Sequence, residues 1–237
     1  MQLFYNPDII ANTTVFSFDK NESRHIIKVL RKKEGDFLFI TNGKGYLFNA
    51  EITSGNEKKC VIKIVSAELK AKPWKYYLHI AIAPTKMNDR YEWFLEKAAE
   101  IGIDEITPLI CDNSERKAIK MERYKKVIIS AMKQSLKFQL PVLNEPIKFD
   151  EFIKKDISGS KLIAHCEETE KQSLKLKSLI HDNITVMIGP EGDFTGKEID
   201  SALQHKFIPL SLGISRLRTE TAGIVVCNTV SVLKNNN

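Results

Sequence analysis

Nothing in the 237-residue chain approaches the roughly 20 consecutive apolar residues that a membrane span requires. The opening stretch Met1-Gln-Leu-Phe-Tyr-Asn-Pro-Asp8 has neither the basic nor the apolar segment of a secretory signal. A cytoplasmic protein without membrane attachment is expected. Cysteine is scarce: Cys60, Cys111, Cys166 and Cys227 lie far apart and form no Cys-x-x-Cys pair. That argues against a zinc ribbon or a disulfide framework and favours reduced, mostly buried thiols. The chain has no Gly-x-x-x-x-Gly-Lys-Ser/Thr, no Gly-x-Ser-x-Gly and no His-Glu-x-x-His, so P-loop, serine-hydrolase and zinc-protease chemistry have no footing. Gly43-Lys-Gly45 lacks the third glycine and the following helix of a dinucleotide fingerprint. The five histidines show no metal-ligand spacing, and no metal is expected. His79 sits in an apolar run and reads as a core residue.

Acidic residues are the minority: 30 Asp and Glu against 36 Lys and Arg leave a formal charge of +6. The excess is uneven. Residues 1–72 carry 12 basic and 8 acidic side chains, a difference of +4, whereas residues 73–237 carry 24 and 22. A basic excess concentrated in the first third suits a polyanion partner, because neutralised phosphates release their counterions.

The remaining composition, 43% hydrophobic, supports a substantial core. Residues 1–70 read as a small β-rich unit. Strands are expected at Thr14–Phe18, Phe37–Thr41, Tyr46–Ile52 and Cys60–Val65, with a short helix over Ser23–Leu30. Asn42-Gly43 between two of the strands is a strong hairpin signal. The Lys-rich segment Ala67–Trp74 is the expected linker. From residue 73 to 237 the pattern alternates strand and helix. Strands are predicted at Tyr77–Ala83, Ile103–Ile110, Leu162–Cys166, Ile184–Ile188 and Ile208–Leu212. Helices are predicted at Asp89–Ile101 (ended by Gly102), Ile119–Leu136, Lys197–His205 and Ala222–Leu233. That alternation implies a mostly parallel α/β sheet.

Two segments carry the chemistry. Ile184–Ile188 runs into Gly189-Pro-Glu-Gly-Asp-Phe194, whose glycines allow turns closed to other residues and whose proline stiffens the bend. A helix then begins with Thr195 as N-cap, Glu198 completing a capping box, and Phe194 and Ile199 spaced as a hydrophobic staple. Ile208–Leu212 enters a second loop, Leu212–Ala222, bearing Gly213, Arg216, Arg218, Thr219, Glu220 and Thr221 between apolar segments. Two strand ends opening into glycine-bearing loops make a ligand site, since open α/β sheets bind at the carboxyl ends of their strands.

Gly189-Pro-Glu-Gly-Asp-Phe-Thr-x-x-Glu198, together with Leu210-x-Leu-Gly-x-x-x-Leu-Arg-Thr-Glu-Thr-Ala222, resembles the SPOUT (trefoil-knotted) RNA methyltransferases. The resemblance is closest to the family that methylates N3 of one uridine in 16S ribosomal RNA of the small subunit. It extends upstream to Arg24-His-Ile-Ile-Lys-Val-Leu-Arg-x-x-x-Gly-Asp36, Lys86-x-x-Asp-Arg-Tyr-Glu-x-x-x-x-Lys-Ala-x-Glu-x-Gly102, Ser114-Glu-Arg116 and Ala131-x-x-Gln-Ser-x-x-x-x-x-Pro141. The ordered set spans nearly the whole chain. One departure is Asp193, where the family usually has glycine.

The resemblance implies a knotted α/β sheet with helices on both faces over residues 73–237, preceded by a PUA-like β-barrel over residues 1–70. It implies S-adenosyl-L-methionine as cofactor, bound by Leu162, Ala164, Ile188, Gly189, Pro190, Glu191, Gly192, Leu210, Leu212, Gly213, Leu217, Thr219, Thr221 and Ala222. The leucines Leu210, Leu212 and Leu217 would sandwich the adenine. Arg218 and Glu220 are the catalytic candidates. Arg218 either stabilises charge on a uracil carbonyl or holds a phosphate; Glu220 either acts as base, orients Arg218 or caps the last helix. RNA contacts are expected from Arg24, Lys28, Arg31, Lys32, Lys86, Arg90, Arg116, Arg123 and Arg216. The C-terminal helix is rich in β-branched residues, which suggests burial, and the resemblance implies a homodimer through it. Competing readings are ribose 2′-O methylation by a related enzyme, and an RNA-binding or ribosome-assembly protein without activity.

Overall fold

The computed structural model describes residues 1–116, 118–167, 171–174 and 181–235. Lys117 and the tail residues Asn236 and Asn237 are among those outside the described residues. The chain divides into two compact units: Met1–Pro73 with Met132–Leu140, and Trp74–Ala131 with Pro141–Asn237. The return of Met132–Leu140 to the first unit is not visible in the sequence pattern, because the helix entering it continues without interruption across the division.

The first unit is a five-stranded sheet. β1 (Leu3–Tyr5), β2 (Val15–Ser17), β3 (Phe37–Thr41), β4 (Tyr46–Asn56) and β5 (Lys59–Leu69) pair in the order β1-β3-β4-β5-β2, with only β1 and β3 parallel. Alternation puts Leu38 and Ile40, Phe48, Ala50 and Ile52, and Cys60 and Ile62 into one core. Phe4 beside one edge and Phe18 beside the other meet with ring centroids 6.3 Å apart, so the sheet curls towards closure. No β1–β2 ladder forms among the described residues. The Asn42-Gly43 turn joins β3 to β4. Gly43 takes φ 73°, and a Cβ there would lie 2.9 Å from Leu140 Cβ. The expected helix at Ser23–Leu30 starts earlier: α1 spans Lys20–Arg24, capped by Asp19, and runs into a π-helical turn at His25–Val29.

The second unit is a parallel sheet covered on both faces. Its strands are β6 (Tyr77–Ile82), β7 (Glu105–Ile110), β8 (Val142–Leu143), β9 (Ile147–Lys148), β10 (Ser160–Ala164), β11 (Gln172–Ser173), β12 (Asn183–Ile188) and β13 (Ile208–Ser211). They pair in the order β11-β13-β10-β12-β6-β7-β8, with β9 also on β7. The central strands are apolar along their length because each has a buried residue on both faces. Helices α2 (Asn88–Ile101), α3 (Met121–Gln134), α4 (Phe149–Phe152), α5 (Gly196–Gln204) and α6 (Thr219–Asn235) complete it.

On one face Ala81, Ile163 and Met187 pack with Phe149, Phe152, Phe194, Ile199 and Ala202. On the other, α6 crosses α2 so closely that a Cβ on Gly223 would meet the Phe94 ring at 2.5 Å. His79 is a satisfied core residue, its Nε2 2.7 Å from Thr107 Oγ1. Among the described residues no helix is long and apolar enough to cross a membrane, and no group of three His, Cys, Asp or Glu is placed to hold a metal ion.

Candidate active site

Three adjacent parallel strands, β13, β10 and β12, end at the same edge of the sheet. Their loops enclose a cavity of about 410 Å³, within the range of small-molecule sites. Ala164 and His165 line it from β10, Ile188–Glu191 from β12, and Leu210–Leu217 from β13. Thr219 and Ala222 of α6 close the wall.

Side chains stitch these loops together. Thr219 Oγ1 donates to Gly189 O at 3.0 Å. Arg216 Nη2 donates to Glu191 O at 3.3 Å, and Glu191 Oε1 accepts Lys86 N at 2.9 Å. Asp193 accepts the backbone N–H groups of Cys166 and Phe194 at 2.7 and 2.8 Å. Below them the predicted capping box is complete. Thr195 caps α5, and Glu198, itself buried, accepts from Thr195 N at 2.8 Å and from Asp112 N at 3.0 Å. The start of α5 is thus occupied by its own carboxylate and serves as scaffold.

The walls are apolar at Leu210, Leu212, Leu217 and Ile188 and charged at Lys171, Glu191, Asp193 and Arg216. Cys166, unlike the other three cysteines, is exposed; partial desolvation of its thiol, with Asp193 adding to it, raises its pKa. His165 is buried, and neither ring nitrogen has a hydrogen-bond partner among the described residues. Burial lowers its pKa, leaving a neutral imidazole at the cavity wall.

Most of the expected cofactor residues meet in this cavity, but three do not. Leu162 is an interior strand residue, fully buried between β12 and β13. Gly192 lies outside because its bare Cα admits Asn113: a Cβ would stand 3.2 Å from Asn113 Cβ. The Asn113 amide donates to the carbonyls of Gly192 and Asp193. Thr221 lines a different cavity, formed with Asp89, Arg90, Trp93, Arg218 and Glu220.

The expected loop Leu212–Ala222 explains this division, because its last residues are helical: α6 begins at Thr219. At about 100° per residue, Thr219 and Ala222 share one face, and Glu220 and Thr221 the opposite one. Arg218 and Glu220 therefore belong to the second cavity. Glu220 is buried, with Oε1 3.9 Å from Arg90 Nε and Oε2 without a partner among the described residues.

The expected RNA-binding residues fall in both units, and in the second Arg116, Lys86 and Arg216 are linked through the Lys86 carbonyl and Glu191. Arg24, Lys28 and Arg31 are exposed in the first unit, where Lys28 pairs with Glu57 at 2.6 Å and Lys32 reaches Phe37 O. In the second unit Arg116 donates to the carbonyls of Thr85 and Lys86, Lys86 pairs with Glu115 at 2.8 Å, and Arg123 donates to Glu92 at 2.8 Å. Sequence reasoning missed His165, Lys171 and Asp193 as wall residues. The resemblance reached the third strand end only at Leu162 and Ala164, and Asp193 stood inside the β12 motif as a departure from its usual glycine.

Comparison with known proteins agrees with this geometry. Residues 72–231 match the RNA methyltransferase domain family, and residues 18–65 match the RNA methyltransferase PUA domain family. A solved structure of a probable rRNA-methyltransferase from Porphyromonas gingivalis is 41% identical over 99% of this chain and 98% of that one, with a TM-score of 0.90. The structure of a ribosomal RNA small subunit methyltransferase E from Neisseria gonorrhoeae, bound to S-adenosyl methionine, is 26% identical over 98% of both chains, with a TM-score of 0.87. The ribosomal RNA small subunit methyltransferase E of Buchnera aphidicola is 29% identical over 98% of this chain and 93% of its own length. With its parallel sheet, its strand-end cavity and a family match over residues 72–231, the chain belongs to the RNA methyltransferase family.

Proposed function

We propose that the protein transfers a methyl group from S-adenosyl-L-methionine to N3 of a uridine in 16S ribosomal RNA of the small subunit. The observation that carries this reading is the cavity at the ends of β10, β12 and β13, in a chain whose relatives over nearly its full length include ribosomal RNA small subunit methyltransferases.

The residues present fit the cofactor. Leu210, Leu212 and Leu217 offer apolar walls for an adenine, and Gly189 and Glu191 offer backbone groups. The buried His165 nitrogens mark a place where a ligand's polar atom is wanted. Bound S-adenosyl-L-methionine supplies an activated methyl on a sulfonium, so the protein's work is positioning and electrostatics. Thr219 and Asp193 hold the loops in register through their backbone contacts. Exposed Arg218 remains the nucleotide-facing cation, for a uracil carbonyl or a phosphate. Of the roles open to Glu220, positioning is favoured over proton abstraction. It is buried beside Arg90, on the opposite face of the first turn of α6 from the cofactor cavity.

The trefoil knot, the homodimer through the C-terminal domain and the cytoplasmic location are further parts of this reading. The knot rests on the family match over residues 72–231, with which the strand order is compatible. The RNA footprint is assigned to Arg24, Lys28, Arg31 and Lys32 in the first unit and to Lys86, Arg90, Arg116, Arg123 and Arg218 in the second, while Arg216 is a wall of the cofactor cavity.

Calorimetric titration with S-adenosyl-L-methionine tests the cofactor, and absence of binding would sink the enzymatic reading. Small subunits from cells lacking the protein, methylated in vitro and digested to nucleosides, should yield 3-methyluridine. A 2′-O-methyl nucleoside would establish the ribose chemistry instead.

A further inference from the structure

Two histidines are buried in the second unit, and they differ in one respect. His79 is 8% exposed and has Thr107 Oγ1 at 2.7 Å. His165 is 7% exposed, lines the strand-end cavity, and has a partner for neither nitrogen among the described residues. A buried polar ring left unsatisfied destabilises the protein, so its presence at a cavity wall points to a ligand atom rather than to the core.

We propose that His165 contacts the bound nucleoside, its imidazole hydrogen-bonding a ribose hydroxyl. The chemistry of the wall selects this group. A neutral imidazole carries one donor and one acceptor, and a hydroxyl is the partner that satisfies either nitrogen. The ligand's charged ends have better partners nearby: Lys171 and Arg216 for a carboxylate, Glu191 and Asp193 for an ammonium. The apolar adenine face belongs to the leucines from the end of β13.

The ring's neutrality is consistent with the surroundings. Burial lowers its pKa, Lys171 acts in the same direction, and Asp193 and Glu167 oppose them. A neutral residue at this place adds no repulsion towards a sulfonium. The position also has a local cause. His165 directly follows β10, the strand flanked by β12 and β13, so it stands at the floor between the two loops that wrap the ligand.

The inference rests on the cofactor reading above, and the experiment separates the two. S-adenosylhomocysteine and its 2′-deoxy and 3′-deoxy analogues are titrated into the full chain and into His165→Leu, with thermal midpoints of the ligand-free proteins recorded alongside. The wild type binding S-adenosylhomocysteine supports the cofactor reading, and failure to bind overturns that reading itself. His165→Leu is expected to bind the parent about five- to tenfold more weakly, the scale of one hydrogen bond. Against one of the deoxy analogues the loss shrinks to less than about twofold, because the partner hydroxyl is already gone. The ligand-free midpoint stays level or rises, since an unsatisfied polar group has been removed. Unchanged affinity, or an equal loss for the parent and both analogues, overturns the assignment. Should His165→Leu fold poorly, His165→Asn carries the same comparison with a smaller polar group. Its loss must again depend on the hydroxyl.

Discussion

The carboxylate of Asp193 accepts the backbone N–H of Cys166 across 2.7 Å, tying the end of β10 to the loop after β12. Asp193 does so from a left-handed backbone, φ 64°, at the position where the resembling family usually has glycine. Its second oxygen accepts Phe194 N at 2.8 Å. The strain of a side chain at positive φ is thus offset by two hydrogen bonds to charge.

Asp193→Ala should therefore lose about 2 kcal/mol or more, keeping the strained backbone without the bonds that offset it. Asp193→Gly should be closer to wild type in stability, because glycine relieves the strain. Both should bind S-adenosyl-L-methionine more weakly. Urea unfolding and calorimetry check this. Equal stability of the alanine and glycine variants would show that the backbone conformation is not held as described.

Gly223→Ala should destabilise the protein by about 1–3 kcal/mol, the scale of overpacking in a close-packed interior. The added Cβ would stand 2.5 Å from the Phe94 ring and 3.1 Å from Ile82 Cδ1. Phe94→Leu in the same chain should recover part of the loss, read by denaturant midpoint.

Arg218→Ala should leave the affinity for S-adenosyl-L-methionine nearly unchanged while lowering methyl transfer by about 100-fold, as for removal of one electrostatic stabiliser. Arg218 lines the cavity on the other side of the first turn of α6, away from the cofactor walls. Isotope transfer to RNA and calorimetry separate the two quantities. Collapse of both, with a lowered thermal midpoint, would make the residue structural.

Stability should fall as the pH drops below about 6.5, the ordinary histidine value. Burial lowers the folded-state pKa of both His79 and His165. In that window the unfolded chain binds protons that the folded chain refuses, and linkage then favours unfolding. The contribution is fully present above about 6.5 and is lost progressively towards the folded values. Urea midpoints between pH 7 and pH 5.5 should decline, and His165→Leu should decline less steeply. An identical slope in the variant would remove His165 from the account.

Much of the scaffold was legible because its rules are local. Thr195 and Glu198 form a capping box three residues apart, and both bonds are present. Gly102 ends α2 at φ 134°, where side chains are disfavoured. β3 keeps the expected bounds Phe37–Thr41, with Leu38 and Ile40 buried on its core face. The three-residue β1 is too short to show a period and exists because it pairs with β3. The start of α6 was read as loop because Arg218-Thr-Glu-Thr221 is polar and β-branched. Packing against α2 overrides that propensity.

The sequence by itself determined the parallel α/β pattern, the strand-end loops and the family resemblance, since periodicity, capping and motif order are short-range properties of a chain. Only the tertiary structure decided which side chains share a wall. Three strand ends far apart in sequence become neighbours through sheet pairing, which brings His165 and Asp193 to the cavity. One turn of helix then puts Thr219 and Glu220, adjacent in the chain, on opposite faces and in different cavities.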